Sequence, residues 1–395
     1  MAYAVDMEET MAEENKPVKV LQVALGDGSY GGVASFLYTF YSHMDHRRIL
    51  CDFLYCAKNS MESKMDTEAL TQSKVTALNA IKPTNNWFGD YTKLLSTLKK
   101  YFKENRYDIV HINTSNVYLC ASVLHSVPRG TICITHSHNT KPVIGDSKSL
   151  KRRIKNFLFL LCRKYVLRQS DYYFACSKAA GTHLYGMDIL DNRKFKVIYN
   201  AIDVKRFKFD KNTREKNRNT NNLVFGHVGR MTEQKNPIFL LKIFREIHQQ
   251  MPNSELWMIG EGELRQNIEK AIKDFNLTDS VKLLGRRNDV AELMQAMDIF
   301  IFPSLYEGLS IVTIEAQAAG LPIFASDSIS PEHKVTELMS FLSLKQSPTE
   351  WADRILSTLG EINVRCDMSS ELIAAGYEIN NAAKDLENFY INAVN

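Results

Sequence analysis

Two glutamates, Glu307 and Glu315, lie eight positions apart in the second half of the sequence. The apolar run 297–302 predicts a buried strand, and the pattern after it predicts a helix that ends at Gly320 and Pro322. Glu307 is therefore expected in a strand-to-helix loop, with Glu315 about two helical turns further on and facing the same crevice. A carboxylate repels phosphate but accepts hydrogen bonds from hydroxyl groups, so the pair suits a ribose or a sugar.

The residues that follow the first glutamate are suited to binding an anion. Gly308, Leu309, Ser310 and Ile311 open the predicted helix. The first amides of a helix have no partner within it and share a partial positive charge, so they suit a phosphate. Parallel α/β sheets also bind their ligands at the carboxyl ends of the strands. The simpler alternative is an ordinary strand, loop and helix with two solvated glutamates.

Two cations flank another predicted strand-to-helix loop. A strand over 223–228 leads to Arg230 and Lys235, and a helix begins near Pro237. Arginine offers a planar fork for phosphate oxygens, and lysine offers a compact positive charge. Together they could hold a diphosphate and stabilise it as a leaving group. Basic pairs are common in loops, so a solvated loop is the alternative.

Two histidines, His136 and His138, follow a strand predicted over 131–135, where open α/β sheets place their ligands. Histidines at this spacing could hold a metal ion, but the sequence offers no third ligand nearby. Contact with a substrate and a purely structural role are the other two interpretations.

A glycine-rich loop supports a different function. Gly26, Gly28 and Gly31 follow a predicted strand over 18–25 and match the G-x-G-x-x-G pattern of dinucleotide-binding proteins. This pattern alone would indicate an NAD(P)-dependent oxidoreductase. The next strand, 50–56, does not end in the acidic residue that would bind the ribose of the dinucleotide, because Asp52 lies inside it.

The elements that must position these residues alternate between strand and helix, which indicates parallel, doubly wound sheets. A chain of 395 residues is too long for one ordinary core, so two domains are expected, joined near residue 200. Residues 1–16 lack the apolar segment of a signal peptide and are interpreted as a disordered leader. No run of 18 apolar residues predicts a membrane span. The seven cysteines show no metal-binding spacing and indicate reduced thiols of a cytosolic protein.

Charge is unevenly divided along the chain. Residues 1–200 hold 27 Lys and Arg against 18 Asp and Glu (27 − 18 = +9), whereas residues 201–395 hold 22 against 27 (22 − 27 = −5). The predicted helix 148–169 has no acidic residue, and its basic residues include Lys151, Arg152, Arg153 and Lys155. It is either a core helix with solvated basic ends or an interfacial helix on an anionic membrane. Nucleic acid is not expected, because no motif that reads it occurs elsewhere.

The second half carries the clearest resemblance to a known family. Glu-Gly-Leu-Ser from Glu307, the second glutamate at Glu315 and Ala-Gly-Leu-Pro at 319–322 resemble the E-x7-E signature of retaining glycosyltransferases of family 4. Arg230 and Lys235 resemble the G-R-x(n)-K-N pattern of the same family. The resemblance implies an α/β protein with the GT-B fold, in which two doubly wound Rossmann-like domains face each other across a cleft. The first would span 17–200 with a C-terminal helix at about 376–395, and the second 201–375.

The resemblance also implies a role for each candidate residue, with a nucleotide-diphospho-sugar as the donor. Arg230 and Lys235 would bind the diphosphate, and Glu315 the ribose hydroxyls. Glu307 and the amides of Gly308, Leu309, Ser310 and Ile311 would hold the sugar and phosphate. His136 would contact the donor sugar as a catalytic residue, with His138 as second choice. Gly31 and Gly32 would let the backbone approach the sugar diphosphate, and Leu284 and Arg286 would hold the base.

The chemistry implied by the family is transfer with retention of configuration. No D-x-D sequence occurs, so no metal or other cofactor is expected. The H-S-H-N run and the Pro-Ser-Leu-Tyr-Glu-Gly loop look closest to bacterial exopolysaccharide or capsule transferases. That likeness implies a UDP-sugar donor, a glycan or lipid-linked acceptor, and a cytoplasmic protein that contacts the inner face of the plasma membrane. A non-catalytic sugar-nucleotide-binding subunit is a further alternative.

Overall fold

The computed structural model describes residues 16–24, 32–55, 73–78, 87–140, 150–218, 220–360 and 365–395. The chain forms two compact units, here called unit 1 (residues up to 199, with 379–395) and unit 2 (200–378). Gly26, Gly28, Gly31 and residues 1–15 of the predicted leader lie outside the described residues.

Unit 1 is built on a parallel sheet of seven strands in the order β3-β2-β1-β4-β5-β6-β7. The strands are β1 (Val18–Ala24), β2 (Ile49–Tyr55), β3 (Val75–Ala77), β4 (Ile109–Asn113), β5 (Ile132–Ser137), β6 (Tyr172–Ala175) and β7 (Phe195–Val197). All five residues of β4 are buried, as expected for a central parallel strand covered on both faces. The strand order reverses between β1 and β4, which is where such sheets bind ligands.

The helices of unit 1 pack on this sheet. They are α1 (Gly32–Ser42), α2 (Trp87–Glu104), α3 (Val117–Ser126), α4 (Leu150–Gln169), α5 (Lys178–Tyr185) and the C-terminal α14 (Ile379–Val394). Helix α14 is tied to the turn before β2, because Glu387 accepts hydrogen bonds from the backbone N–H of Asp45 and from Arg48. The segment 379–395 therefore belongs to unit 1, although residues 200–378 separate it in sequence from the rest of that unit.

Unit 2 is built on a parallel sheet of six strands in the order β10-β9-β8-β11-β12-β13. The strands are β8 (Leu223–Val228), β9 (Ser254–Ile259), β10 (Val281–Gly285), β11 (Ile299–Phe302), β12 (Ile323–Ser326) and β13 (Met339–Leu342). The helices are α6 (Val204–Phe207), α7 (Lys211–Asn217), α8 (Pro237–Gln250), α9 (Arg265–Asp274), α10 (Val290–Ala296), α11 (Ile311–Ala318), α12 (Pro348–Ser357) and α13 (Ser369–Ala374). Here the strand order reverses between β8 and β11.

The two parallel sheets with helices between their strands confirm the predicted fold class, but three element boundaries differ. The helix predicted over 371–393 is two helices, separated at Gly376, whose φ of +86° suits glycine. Helix α11 begins at Ile311 rather than Gly308. Strand β5 runs on to Ser137, so His136 lies inside the strand and not beyond it.

Candidate functional site

Lys235 and Glu307 form an ion pair in unit 2, with 2.7 Å between Nζ and Oε1. Their side chains are only 12% and 8% exposed, so both charges are largely withdrawn from water. The Lys235 ammonium also lies 4.5 Å from the centre of the Phe302 ring, where a cation is attracted to the π face. A buried charge is stable only with such partners, so each residue fixes the position of the other.

The loops that carry this pair are joined by two further hydrogen bonds. The backbone N–H of Leu305 donates to the backbone oxygen of Gln234 over 2.8 Å. The Gln234 side chain donates to the backbone oxygen of Tyr306 over 2.9 Å. One loop follows β8 and the other follows β11, the neighbouring strands between which the order reverses. The pair therefore lies at the ligand-binding edge of a doubly wound sheet.

Local backbone geometry explains how Lys235 reaches this position. Asn236 adopts the left-handed conformation (φ 54°), and Pro237 starts α8 directly after it. Gly229 lies beside the lysine stem, because a Cβ there would come within 3.3 Å of Lys235 Cε and of His227 Nε2. Glycine at this position leaves room for the stem of the lysine.

The start of α11 differs from the prediction in one important respect. The backbone N–H of Ser310 donates to His333 Nε2 over 2.9 Å. His333 Nδ1 in turn donates to the backbone oxygen of Ser330 over 2.8 Å. Burial lowers the pKa of His333, which keeps Nε2 free to accept. The Ser310 amide is therefore engaged within the protein in this structure, and its role as a phosphate ligand stays a prediction. The side chain of Asn200 similarly donates to the oxygen of Leu309 over 2.6 Å.

The other predicted residues of unit 2 lie at the same edge of the sheet or next to it. Arg230 follows β8 and is exposed, Leu284 lies in β10, and the exposed Arg286 follows β10. Glu315 is half-buried on α11, while Gly308 and Leu309 are buried before it. Sequence reasoning missed His333 and Asn200, since neither stands in a recognisable pattern with the loop it supports.

The histidines of unit 1 lie in a buried polar cluster. His136 is fully buried, with Nδ1 3.1 Å from His111 Nε2, and its ring stacks on His138 with 3.9 Å between centres. Burial, and then the nearness of the other two histidines, lowers the pKa of His136 well below its ordinary value. Burial likewise lowers the pKa of His111 and of His138 to about 3. All three rings are therefore neutral at physiological pH.

The cluster extends to residues that the sequence analysis did not select: Gln22 on β1, His111 and Asn113 on β4, and Tyr390 on α14. The sequence did contain a signal for two of these residues. His111 and Asn113 are polar residues at alternate positions of a buried strand, and so project to one face of the sheet. Tyr390 could not be found this way, because its contact depends on how α14 packs.

Two family models match the chain, one to most of each unit. The model described as Glycosyltransferase Family 4 matches residues 30–206, and the model described as Glycosyl transferases group 1 matches residues 208–374. The chain belongs to the family 4 glycosyltransferases. The family resemblance of the second half is therefore confirmed, and the oxidoreductase alternative, which rested on the glycines before α1, is set aside.

Similar proteins support this assignment over most of the chain. It is 29% identical over 384 residues to EpsF of Bacillus subtilis (strain 168), named as a glycosyltransferase, covering 94% of this chain and 96% of EpsF. It is 28% identical over 243 residues to a UDP-Gal:alpha-D-GlcNAc-diphosphoundecaprenol alpha-1,3-galactosyltransferase of Escherichia coli, covering 60% of this chain and 62% of that protein.

Solved structures support the GT-B fold of this glycosyltransferase. The sucrose-phosphate synthase of Thermosynechococcus elongatus matches with a TM-score of 0.74 at 17% identity, covering 95% of this chain and 99% of that chain. Anabaena HepE in complex with UDP-glucose matches with a TM-score of 0.71 at 19% identity, with the same coverage. At these identities the likeness concerns the fold.

Helix α4 of the glycosyltransferase has an apolar face exposed to solvent. Phe157 is 61% exposed, and Ile154, Leu160 and Leu161 are about half exposed. Exposed basic residues accompany them, namely Arg153, Lys164 and Arg168. Lys151, Arg152 and Lys155 also belong to α4, although their side chains lie outside the described part of the structure. Another face of the helix packs on the core of unit 1, where Val166 is buried, so the core-helix interpretation accounts for that face but not for the exposed apolar side chains.

Two further observations bear on this glycosyltransferase. Within the described ranges, no helix is both long and apolar enough to cross a membrane. Among the same residues, no group of three or more His, Cys, Asp or Glu side chains is placed to bind a metal ion.

Proposed function

We propose that this glycosyltransferase moves a hexose-type sugar from a UDP-sugar to a hydroxyl group of a glycan or lipid-linked oligosaccharide, with retention of configuration and without a metal, in surface polysaccharide synthesis. The observation that carries the proposal is the buried pair of Lys235 and Glu307 beside the start of α11. This arrangement supplies a fixed cation for phosphate and a fixed acceptor for hydroxyl groups at one sheet edge.

In the proposed donor site, Lys235 and Arg230 neutralise the diphosphate and stabilise it as it leaves. Lys235 is already oriented by Glu307, whereas Arg230 is exposed and orders when the donor binds. Glu307 accepts hydrogen bonds from the sugar, and Glu315 accepts them from the ribose. The base lies against Leu284 and Arg286.

The start of α11 provides the remaining contacts with the donor in this proposal. The amides of Gly308, Leu309 and Ile311 bind phosphate and sugar oxygens, and the Ser310 amide is left out because it donates to His333. In unit 1, His136 contacts the donor sugar, and Gly32, the first residue of α1, lets the backbone approach the diphosphate.

The choice of UDP as the nucleotide is supported by the named relatives. The Escherichia coli relative is named for UDP-Gal, and the HepE structure contains UDP-glucose. The acceptor proposal has similar support, since the same Escherichia coli protein is named for a sugar linked to diphosphoundecaprenol. A lipid-linked acceptor would lie in the cytoplasmic face of the plasma membrane. The exposed apolar face of α4 would then contact that membrane surface.

The proposed donor is tested by thermal unfolding of the full chain with UDP, GDP, ADP or NADH. A ligand at about 100 times its dissociation constant adds roughly 2.7 kcal/mol to the free energy of unfolding, which raises the melting temperature measurably. We expect UDP to stabilise the protein most. Stabilisation by GDP or ADP and not UDP would contradict the donor proposal, and stabilisation by NADH alone would contradict the transferase site as described.

A further inference from the structure

The orientation of the Asn113 side chain is fixed by a backbone carbonyl. Its Nδ2 atom lies 3.1 Å from the oxygen of His111, and a carbonyl oxygen can only accept, so the amide nitrogen must face it. The other side-chain atom, Oδ1, therefore faces His138 Nε2 over 3.0 Å and accepts from it. Neutral His138 must carry its hydrogen on Nε2, which leaves Nδ1 as a hydrogen-bond acceptor.

The same amide also sets the direction of a second series of hydrogen bonds. Asn113 Nδ2 donates to Gln22 Oε1 over 2.9 Å, so the Gln22 nitrogen donates to the Tyr390 hydroxyl over 3.0 Å. The hydroxyl then has its own hydrogen to donate to His111 Nδ1, 2.6 Å away. His111 consequently carries its hydrogen on Nε2 and donates to His136 Nδ1 over 3.1 Å. His136 is left with its hydrogen on Nε2.

The two series end at nitrogens of opposite character on stacked rings. His136 Nε2 is a donor and His138 Nδ1 is an acceptor, and both are buried without a hydrogen-bond partner among the described residues. A buried polar atom without a partner is costly, so such atoms indicate a ligand. A hydroxyl group both donates and accepts, so its chemistry suits one nitrogen of each character.

We propose that Tyr390, His111 and Asn113 are positioning residues that present His136 as a donor and His138 as an acceptor to one hydroxyl group of the donor sugar. The inference rests on the proposed function, in which His136 contacts that sugar. Burial keeps the participating groups neutral, since it lowers the pKa of all three histidines and raises that of Tyr390 and of the neighbouring Cys51. Phe36 and Phe174 pack against His136 from α1 and β6.

The tautomers are tested without any substrate by ¹⁵N NMR of histidine-labelled protein, because the nitrogen shift distinguishes N–H from a bare nitrogen. His136→Gln and His138→Gln assign the signals. We expect Nε2–H and bare Nδ1 for His111, His136 and His138. Tyr390→Phe should shift His111 and His136 toward averaged tautomers and leave His138 unchanged, and Asn113→Leu should disturb His138. Nδ1–H on His136 in the wild type would overturn the proposal.

A matched control is available in the same unit. Tyr185 is also buried, and its hydroxyl bonds to Thr135 and to the oxygen of Phe174. Tyr185→Phe removes a buried hydroxyl that makes no hydrogen bond to any of the three histidine rings, so it should change none of the three tautomers. If Tyr185→Phe shifts His136 as much as Tyr390→Phe does, the effect is general loosening and the proposed positioning role fails.

Kinetics then connect the tautomers to transfer. Tyr390→Phe should lower kcat about tenfold with little change in KM, as for one lost hydrogen bond. In a His136→Gln background the same change should lower kcat less than about twofold, because the tyrosine acts through that ring. If the tautomers are as expected but kcat does not change, the proposed contact of His136 with the sugar fails, whereas donor binding to unit 2 is tested separately by UDP.

Discussion

The ion pair of Lys235 and Glu307 joins two residues that lie 72 positions apart in the chain. Both were predicted in the donor site from the sequence, but their pairing was not, since it depends on β8 and β11 being neighbours in the sheet. Sequence patterns identify the loops, and the strand order brings them together. The same limit explains why His333 and Asn200, which support the start of α11, had no signal in the sequence.

Removing the cation of this pair should greatly reduce transfer. We expect Lys235→Ala to lower kcat by on the order of 10²-fold or more, because the charge proposed to stabilise the leaving diphosphate is lost. The variant should also be less stable, since the buried Glu307 carboxylate loses its partner. Initial rates at saturating donor, together with a melting curve, separate the two effects.

Lys334→Ala is the matched control for this variant. Lys334 pairs with Glu337 at the same 2.7 Å, but the carboxylate is 95% exposed, so the pair contributes little. Activity and melting temperature should both stay near the wild-type values. Unchanged kinetics in Lys235→Ala would remove the lysine from the site.

Buried neutral histidines should make the stability depend on pH in both units. His111 in unit 1 and His227 in unit 2 are almost fully buried, and burial lowers the pKa to about 3 and about 4. The unfolded chain takes up protons below about pH 6.5 while the folded rings do not, so stability is complete above that pH and falls below it. Each buried ring should lower the free energy of unfolding by about 1.4 kcal/mol for each pH unit below 6.5.

Calorimetry at about pH 7.5, 6.5 and 5.5 checks this expectation, because these values bracket the titration of histidine in the unfolded chain. The melting temperature should fall between the last two values much more than between the first two. His227→Phe removes one titrating ring between two aromatic neighbours, Phe300 and Phe302, and should make the fall shallower. A constant melting temperature would mean that the rings are solvated and protonate freely.

Among the described elements, α4 carries the largest group of exposed large apolar side chains. The sequence predicted an apolar, basic helix but left open whether its apolar residues were buried. In the structure, four large apolar side chains remain half or more exposed beside basic ones. Anionic lipid satisfies both, since each basic residue near such a surface contributes about 1 kcal/mol and the apolar side chains insert at the headgroup boundary.

Vesicle sedimentation tests this partner. The protein should sediment with phosphatidylcholine vesicles that contain phosphatidylglycerol, and much less with phosphatidylcholine alone or at high salt. Replacing Phe157 and Leu161 with Ser should lower binding about tenfold or more. Met187→Ser is the control, because Met187 is 71% exposed but lies outside α4. Equal binding to both kinds of vesicle, or equal losses in both variants, would rule out the α4 surface.

The element boundaries show where the sequence was sufficient. Strands β1, β2 and β4 were correctly predicted from the sequence, and the apolar run of β1 is typical of a buried parallel strand. The end of β5 and the start of α11 were misjudged, since His136 and Gly308 look like loop residues. Each is held by a tertiary contact: His136 pairs with neighbouring strands, Leu309 accepts from Asn200, and Ser310 donates to His333.

For the whole molecule, the proposed charge compensation by Arg230 and Lys235 implies that transfer needs no divalent ion. Activity should therefore be unchanged after EDTA treatment, measured as initial rates with a UDP-sugar as donor. A control assay adds Mg²⁺ or Mn²⁺ to the treated enzyme and should show no gain. Complete loss with EDTA that either ion restores would contradict the metal-independent mechanism.

The position of α14 in unit 1 has a consequence for the order of biosynthesis. Gln22, one partner of Tyr390, is translated before nearly all of both units, and Tyr390 is translated after unit 2. The nascent chain can therefore form the seven-stranded sheet early but must wait for the helix that completes it. The histidine cluster can be completed only after α14 has been translated. A ribosome-bound intermediate that lacks α14 therefore lacks the contacts of Tyr390 with this cluster.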